Sequence, residues 1–438
     1  MTHRGSRVLR VGSLARVEGE GSLHLRVAGR SVAEAQLRIY EPPRFFEAFL
    51  RGRAYTEPPD ITARVCGICP VAYQMSACRA IEDACGVAVD RPLRDLRRLL
   101  YCGEWIESHA LHIYLLHAPD FFGCDSAVDL ARTQRAAVER GLRLKQAGNA
   151  ILELLGGRAI HPVNVRLGGF HRVPARAELR PLEEQLRRAA DDAWETVRMV
   201  SAFDFPDASL DADFLALASP PTYAIEEGVP TVLSTGGGRR TFPVSAFLDH
   251  VREEQVPHST ALHSRLDGRR HLTGPLARFA INGGLLSPTA REAAGEAGLG
   301  SVCRNPYRSV LVRAVEVVYA VDEALRVTAA YEPPARPHVD VRPRQGTGHG
   351  ATEAPRGLLY HRYRTDTEGT VTDACLVPPT AQNQGAIEDD LVRIVERAIA
   401  EGDPTDEELT HLCERAIRNH DPCISCSAHF LDLTIERV

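Results

Sequence analysis

Four cysteines in two pairs carry the strongest chemical signal in this chain. Cys66 and Cys69 form one Cys-x-x-Cys motif near the N-terminus, and Cys423 and Cys426 form another near the C-terminus. Two thiols three residues apart can bind one metal ion when the backbone between them turns. Thiolates are soft ligands that suit zinc, copper(I), iron–sulfur clusters or nickel. One pair alone could be a redox dithiol, whereas two pairs at one site supply four thiolates, a set that commonly holds structural zinc.

The separation of the two pairs argues against a structural zinc site. Zinc ribbons place their pairs about 15 to 20 residues apart, so that a local loop folds around the metal. Here about 350 residues lie between Cys69 and Cys423. Closing so long a loop costs only about 1–2 kcal/mol more than closing a short one, so the arrangement is permitted. A metal held between both ends of a large domain is better interpreted as the centre of the protein.

A large ordered domain must bring these two pairs together, and the sequence predicts a helix-dominated one. Residues 21–28 and 32–40 are β-rich runs that suggest a hairpin. Thr405 and Glu408 form a capping box before the last helix. Residues 203–305 are mixed and turn-rich, and residues 333–350 are interpreted as a loop. Helical spacing of apolar residues predicts helices over residues 91–113, 130–155, 181–200, 310–330, 387–400 and 406–418. We predict an α+β fold in which residues 1–438 form a single domain.

Composition narrows the class of protein. The chain has 438 residues, 44% of them hydrophobic, and a formal net charge of −6. No stretch approaches the roughly 18 apolar residues of a membrane span. The basic residues are scattered, which makes nucleic acid a poor partner. The N-terminus lacks an apolar signal region, and eleven cysteines are too sparse for a disulfide scaffold. We expect a cytoplasmic protein whose thiols stay reduced.

The sequence around the cysteines resembles the paired signature motifs of nickel–iron hydrogenase large subunits. Arg64-Val65-Cys66-Gly67-Ile68-Cys69 matches the first signature, and Asp421-Pro422-Cys423-Ile424-Ser425-Cys426 with His429 matches the second. The resemblance covers nearly the whole chain. It implies the large-subunit fold, a central helical bundle with small peripheral β-sheets. It also implies reversible heterolytic cleavage of H2 at a nickel–iron centre, with Cys66 and Cys423 as terminal nickel ligands and Cys69 and Cys426 as bridges.

The resemblance assigns roles to further residues around this centre. It implies carbon monoxide and cyanide on the iron. Glu18 resembles the proton-relay glutamate of the family, although by residue type alone it would be an exposed loop residue. Arg356, which follows Pro355 in the segment Glu353-Ala354-Pro355-Arg356-Gly357, resembles the arginine that overhangs the metals, although alone it would be a surface residue. Thr380 resembles the hydroxyl donor to a cyanide.

Two carboxylates, Asp120 and Asp421, match those that pair with the overhanging arginine; Asp421 could also be a simple turn residue before Pro422. Glu47 and His429 resemble ligands of a second ion, Mg²⁺, which prefers oxygen donors. An amphipathic-helix glutamate is the alternative for Glu47. Tyr73 stands where many members have a histidine that bonds a bridging sulfur, and its hydroxyl could do the same.

The histidines of the predicted helix 91–113 and its continuation are a tempting but weaker metal site. His109, His112 and His117 lie on nearly one helix face. Three core histidines are the more common explanation, and the family uses this segment for packing. We therefore assign them no metal.

The family's maturation implies that the C-terminal tail is removed. Cleavage after His429 would release residues 430–438, which begin with Phe430. This implies a maturation protease and nickel chaperones as partners.

The remaining cysteines lack the clustered spacing of an iron–sulfur site, so electrons need a partner. The resemblance implies an iron–sulfur small subunit. Within the family, the sequence resembles the soluble bidirectional branch. This implies diaphorase-type NAD(P)-binding partner subunits, or coupling to ferredoxin in their place. Two other functions stay open, a four-thiolate structural zinc protein and the related quinone-site subunit of respiratory complex I. That subunit shares the fold, and loss of the cysteines marks it, so the four retained here argue against it.

Overall fold

A computed structural model describes residues 7–428, and β-strands occur near the N-terminal end of that range, in its middle and towards its C-terminal end. The strands are β1 Arg7–Val11, β2 Gly21–Ala28, β3 Ser31–Ile39, β4 Val165–Arg166, β5 Gly169–Phe170, β6 Asp213–Ala218, β7 Val229–Leu233, β8 Arg239–Thr241, β9 Val251–Glu254, β10 His263–Leu266, β11 His271–Leu272, β12 Gly346–Ala354, β13 Gly357–Thr365 and β14 Val371–Val377. They form five small sheets, ordered β1-β2-β3, β4-β5, β10-β9, β11-β6-β7-β8 and β12-β13-β14.

Helices make up most of the remaining ordered structure. They are α1 Phe46–Leu50, α2 Pro58–Thr62, α3 Pro70–Cys85, α4 Arg91–Ala110, α5 Ala118–Phe121, α6 Ala127–Thr133, α7 Arg135–Gly156, α8 Arg180–Ser201, α9 Phe247–His250, α10 Pro275–Asn282, α11 Pro288–Glu296, α12 Ser309–Ala330, α13 Pro379–Glu401, α14 Asp406–His420 and α15 Ile424–Ser427. Small sheets around long helices give the predicted α+β, helix-dominated architecture. Among residues 7–428, no helix is both long and apolar enough to span a bilayer.

Four long helices form the central bundle. Helix α4 packs against α7 and α12, and α12 packs against α8. Apolar side chains at helical spacing, such as Leu96, Leu99 and Leu100 of α4, are fully buried there. Helix α4 continues into a π-helical segment, Leu111–His117. Helix α3, which begins directly after Cys69, packs against α4 of this bundle.

Helix α3, which follows Cys69 directly, lies on the sheet β12-β13-β14. The approach is close, because a Cβ on Gly348 of β12 would overlap the backbone oxygen of Ala80 in α3. At the other end of the chain, α13 packs against α14 and against β3. The N-terminal sheet, α3 and the two C-terminal helices therefore converge from different parts of the sequence.

Several predicted elements are confirmed and some need correction. The hairpin, the helices at 181–200 and 310–330, and the capping box of Thr405 and Glu408 are present. The segment 333–350 is not all loop, because β12 begins at Gly346. The last-but-one helix begins at Pro379 rather than at residue 387, and the predicted helix over 130–155 is divided at Gln134, whose φ of −128° and ψ of 45° interrupt the helical backbone.

Candidate metal centre

The two Cys-x-x-Cys motifs, far apart in sequence, meet in the fold. Cys66 and Cys69 lie in the turn before α3, while Cys423 precedes α15 and Cys426 lies within it. The four Sγ atoms all lie within 4.8 Å of one another. Cys66 Sγ is 3.4 Å from Cys423 Sγ, Cys69 Sγ is 3.3 Å from Cys426 Sγ, and Cys423 Sγ is 2.9 Å from Cys426 Sγ. The first cysteines of the two motifs face each other, and so do the second.

The donor set fits a nickel–iron centre. All four cysteines are buried and none forms a disulfide, so four soft donors converge on one point. The backbone N–H groups of Ile68 and Cys69 donate to Cys66 Sγ at 3.3 and 3.4 Å. Four thiolates are also a zinc set, so the chemistry of the sulfur atoms alone does not choose between nickel–iron and zinc.

The thiols are electrostatically unequal. Hydrogen bonds from Cys423 and its other cysteine neighbours hold the pKa of Cys66 well below its ordinary value. Burial raises the pKa of Cys423. A bound cation would favour the thiolate form of all four cysteines, because its positive charge stabilises their negative charge.

Glu18 joins the N-terminal segment to the second motif. Its backbone oxygen accepts from Ile424 N at 3.0 Å, and its side-chain Oε2 accepts from Ser425 N at 3.1 Å. Both N–H groups belong to the first turn of α15, which has no partner for them within the helix. Burial, followed by the negative charge of Cys66, raises the pKa of Glu18. Glu18 thus lies beside the cysteines as a half-buried carboxyl group.

Arg356 lies at the tip of a tight turn that faces the cysteines. Pro355 and Arg356 connect β12 to β13 in a two-residue hairpin loop. The buried Arg356 guanidinium donates from Nε to the backbone oxygen of Asp421 at 3.0 Å, and its Nη2 lies 3.0 Å from Asp421 Oδ1. Burial alone would lower the pKa of Arg356. The charges of Asp421 and then of the cysteines outweigh burial and raise this pKa above its ordinary value. Arg356 is therefore a fixed cation beside the sulfur atoms.

Asp421 and Asp120 have different partners, which corrects one prediction. Asp421 pairs with Arg356, as predicted, and adopts a φ of 51° at the end of α14. The carboxylate of Asp120 is instead bound bidentately by Arg418, at 2.8 and 2.9 Å, and also by Arg16. Asp120 pairs with these two cations because α5 lies against the last turns of α14, whereas Arg356 approaches from the sheet. Asp120 therefore braces α14 and the N-terminal segment.

Two hydroxyl-bearing residues contact the backbone of the second motif. Thr380, in the first turn of α13, accepts from Cys423 N at 2.9 Å. The buried Tyr73 of α3 donates to the backbone oxygen of Cys426 at 3.4 Å. For Tyr73 the predicted acceptor is a sulfur atom, whereas this contact is with a carbonyl group.

Glu47 of α1 is buried, whereas a glutamate on the polar face of an amphipathic helix would be exposed. Its Oε1 accepts from Leu376 N at 2.6 Å, and burial raises its pKa to about 7. His429 and Phe430, the predicted magnesium ligand and the first residue of the tail, lie outside the described residues.

Two contributors to the centre are missed by sequence reasoning. Arg44 Nη2 donates to the backbone oxygens of both Val65 and Ser425, and so ties the two motifs together. Glu104 of α4 accepts from Val71 N at 2.6 Å and from Ala72 N at 3.2 Å, which satisfies the first turn of α3 directly after Cys69. No local sequence motif marks Arg44 or Glu104 as part of the centre. The only sequence signal for Arg44 is its position close to Glu47.

The histidines of α4 and its π-helical continuation are part of the core, as expected. His109 Nε2 is 2.9 Å from Glu316 Oε2, and His112 Nε2 donates to the backbone oxygen of Arg418. His109, His112 and His117 are all buried. They do not converge on one point as the cysteines do.

Comparisons with known proteins agree with this geometry. The model of the nickel-dependent hydrogenase family matches residues 44–153 and 302–429. The chain is 33% identical over 424 residues to the alpha subunit of sulfhydrogenase 1 from Pyrococcus furiosus, a match that covers 96% of this chain and 97% of that protein. Over 428 residues it is also 33% identical to the alpha subunit of sulfhydrogenase 2 from the same organism, covering 97% of this chain and 100% of that protein.

Solved structures show the same architecture. An NAD+-reducing [NiFe]-hydrogenase in the H2-reduced state superposes with a TM-score of 0.87 at 25% identity, covering 97% of this chain and 99% of that one. The Ni-Fe-Se hydrogenase of D. vulgaris Hildenborough, at 22% identity and a TM-score of 0.81, shares the fold and covers 97% of this chain and 100% of that one. Because the family model covers more than half of the sequence and a relative of 33% identity spans nearly all of it, this chain belongs to the nickel-dependent hydrogenase family, as a large subunit.

Proposed function

We propose that this chain is the catalytic subunit that converts H2 reversibly into two protons and two electrons, at a nickel–iron centre held by Cys66, Cys69, Cys423 and Cys426. The observation that carries the proposal is the convergence of four buried thiols from both ends of the chain within 4.8 Å. The facing pairs, Cys66 with Cys423 and Cys69 with Cys426, support two terminal ligands and two bridges. When bound, the metal pair supplies the soft electrophile at which H2 is polarised.

The protein must hold a base near the sulfur atoms, and Glu18 is our candidate. Its carboxylate contacts Ser425 N, between Cys423 and Cys426 in sequence, so a proton released at the centre has a short path to it. The raised pKa of this half-buried carboxyl group makes it bind a proton more readily than a free carboxylate does, which suits a general base. Glu18 is therefore proposed as the first acceptor of the relay.

The polar groups around the sulfur atoms support the proposal that iron carries carbon monoxide and cyanide. The guanidinium of Arg356 is a fixed donor to an anionic ligand, held by Asp421. Thr380 accepts from Cys423 N through its hydroxyl oxygen, which leaves the hydroxyl hydrogen for another acceptor. These two residues would orient the small ligands by hydrogen bonding.

A magnesium ion bound by Glu47 and His429 is a separate proposal. Glu47 is buried with its Oε1 fixed by Leu376 N, and a carboxylate is a suitable ligand for this hard ion. A cation would compensate the burial that raises the pKa of Glu47 to about 7. Occupation of this site would hold α1 against β14.

Hydrogenase large subunits act with small subunits, and electrons leave this chain through such a partner. We propose diaphorase-type NAD(P)-binding subunits together with an iron–sulfur small subunit. The likeness to an NAD+-reducing hydrogenase supports the diaphorase-type partners. We also propose that a maturation protease removes residues 430–438 and that nickel chaperones load the metal. The proposed location is the cytoplasm.

The test is an assay of the anaerobically purified complex. We expect H2-dependent reduction of a viologen dye, with nickel and iron bound to the chain, and infrared bands of metal-bound carbon monoxide and cyanide. A protein that contains zinc alone, without these bands and without turnover, would support the structural-zinc alternative. Quinone binding without metal would support the complex I-like alternative.

A further inference from the structure

A second group of metal-ligand side chains lies away from the four cysteines. His258, His263 and Glu388 each bring one ligand atom within 4.8 Å of the others. Within residues 7–428, this group and the cysteines are the two such sets. His263 and Glu388 are buried, whereas His258 is partly exposed and leaves a route to solvent. The nickel–iron chemistry uses none of these three residues.

Glu388 is the centre of the group. His258 Nε2 is 2.8 Å from Glu388 Oε1, and His263 Nδ1 is 4.0 Å from Glu388 Oε2. Leu37 N donates to the same Oε1 at 3.1 Å. The carboxylate is therefore fixed by the backbone of β3 while both imidazoles face it.

His263 has one ring nitrogen without a partner. Its Nε2 is buried and makes no hydrogen bond to any described residue, while the side chain is only 6% exposed. The other ring nitrogen, Nδ1, is the one that faces Glu388, so Nδ1 is the atom that would bind the ion.

We propose that His258, His263 and Glu388 bind a first-row divalent cation of the zinc class. Two imidazoles and one carboxylate are a ligand set that such ions accept, with the remaining positions filled by water. The three residues come from the loop after β9, from β10 and from α13, so the cation would join three elements.

Arg270 is the competing cation. Its Nη1 lies 3.7 Å from Glu388 Oε2, and its Nε lies 3.2 Å from Asp389 Oδ2. Because Asp389 offers a second carboxylate, the guanidinium can stay paired when a metal ion takes Glu388. Even so, Arg270 competes with the ion for Glu388 Oε2 and repels it by like charge. Removal of Arg270 should therefore strengthen metal binding, an effect that a purely structural ion pair would not produce.

The site would brace the helix that also serves the catalytic centre. Thr380 lies in the first turn of α13 and contacts Cys423 N, and Glu388 lies about two turns further along. A cation would hold α13 against β10 and the loop that precedes it.

Zinc retention by the purified hydrogenase complex tests this proposal. After incubation with Zn²⁺ and gel filtration, zinc, nickel and iron are measured together by mass spectrometry. We expect the parent to retain one zinc equivalent per chain more than His263→Gln or Glu388→Gln. The control His250→Gln disrupts a surface pair with Asp267 that has no third ligand among the described residues, and should retain as much zinc as the parent. Nickel content should be equal in all four proteins.

A second variant decides the matter if the first ones fold poorly. Arg270→Gln should retain zinc at a lower free zinc concentration than the parent does. Equal zinc in parent, His263→Gln and Glu388→Gln would overturn the proposal and leave a His258–Glu388 ion pair. If those two variants lose nickel as well, an unchanged zinc affinity in Arg270→Gln would overturn it instead.

Discussion

The four-cysteine centre and the charged cluster around Arg278 are both buried, yet their polar atoms are used in opposite ways. Arg278 donates from all of its N–H groups, to Glu316, Glu353 and the backbone oxygens of Ala354 and Pro355. Its guanidinium also stacks over the ring of Trp105 at 4.4 Å. The cysteine sulfurs, in contrast, face one another, and the nearby cation is Arg356.

This contrast separates a structural cluster from a site for an external ligand. Arg278 and Glu316 neutralise each other, and His109 and Tyr223 supply the remaining hydrogen bonds to Glu316. Four converging thiols instead form a ligand set that a metal ion can complete. The two regions are connected, because Arg278 holds the backbone of Ala354 and Pro355, directly before Arg356.

The largest effect should follow from removal of one sulfur. Cys423→Ser should abolish nickel loading and H2 turnover, because a hydroxyl group is a poor substitute for a soft thiolate. The matched control is Cys413→Ser, which changes another buried cysteine, in α14, outside the four-thiol group. Nickel content and turnover of the purified proteins are the measurements. Full nickel in Cys423→Ser would remove this residue from the ligand set.

Glu18→Gln should lower turnover strongly while the metals stay bound. The amide oxygen can still accept from Ser425 N, but the side chain can no longer carry a proton. Loss of a positioned general base costs roughly 100-fold or more. Glu20→Gln, at an exposed position two residues away, is the control. Turnover that matches the control would show that Glu18 only caps α15.

In the charged cluster, Glu316→Gln should reduce stability rather than redox chemistry. It leaves the buried Arg278 short of a counter-charge, which costs about 3–5 kcal/mol in the free energy of unfolding. Asp192→Asn, which breaks a bidentate pair with the exposed Arg143, should cost less than about 1 kcal/mol. Urea denaturation at neutral pH compares them. Equal losses would mean that burial of the cluster has no energetic weight.

The same variant gives a pH dependence with a defined sign. Burial alone would raise the pKa of Glu316, but Arg278 lowers this pKa from 4.5 to about 2. The stabilisation is therefore present above pH 4.5 and is lost as the pH falls towards 2. The difference in unfolding free energy between parent and Glu316→Gln should shrink across that range. A difference that stays constant would contradict the lowered pKa.

Tyr73→Phe should have the smallest effect. Its hydroxyl contact with the oxygen of Cys426 is long, at 3.4 Å, so its loss should cost about 1 kcal/mol of stability or less. Nickel content should remain that of the parent, and Tyr40→Phe, at an exposed position, is the control. A severalfold loss of nickel would mean that Tyr73 fixes the ligand geometry directly.

The sequence predicts the cysteine centre better than its surroundings. Both Cys-x-x-Cys motifs are local and carry their chemistry in their spacing, so Cys66 and Cys423 can be named without a structure. Arg278, Glu316 and Glu353 lie on three elements with no shared motif, and their pairing arises only from packing. Sequence reasoning pairs Asp120 with Arg356, whereas Arg418 and Arg16 bind it, and that pairing also arises only from packing.

The fold shows a similar division. Long amphipathic helices such as α8 and α12 follow from their periodicity. The first part of strand β12 is interpreted as loop because Gly346, Gly348 and Gly350 lower its β-propensity. Those glycines are needed because α3 passes so close to the strand, and that is a tertiary constraint.

X-ray absorption at the nickel edge of the purified complex identifies the atoms around nickel, and so tests whether both ends of the chain supply sulfur to one bimetallic site. We predict a first shell dominated by sulfur, with an iron atom as the next neighbour, and loss of both features in Cys423→Ser. A nickel ion surrounded by oxygen and nitrogen, or sulfur without neighbouring iron, would contradict it.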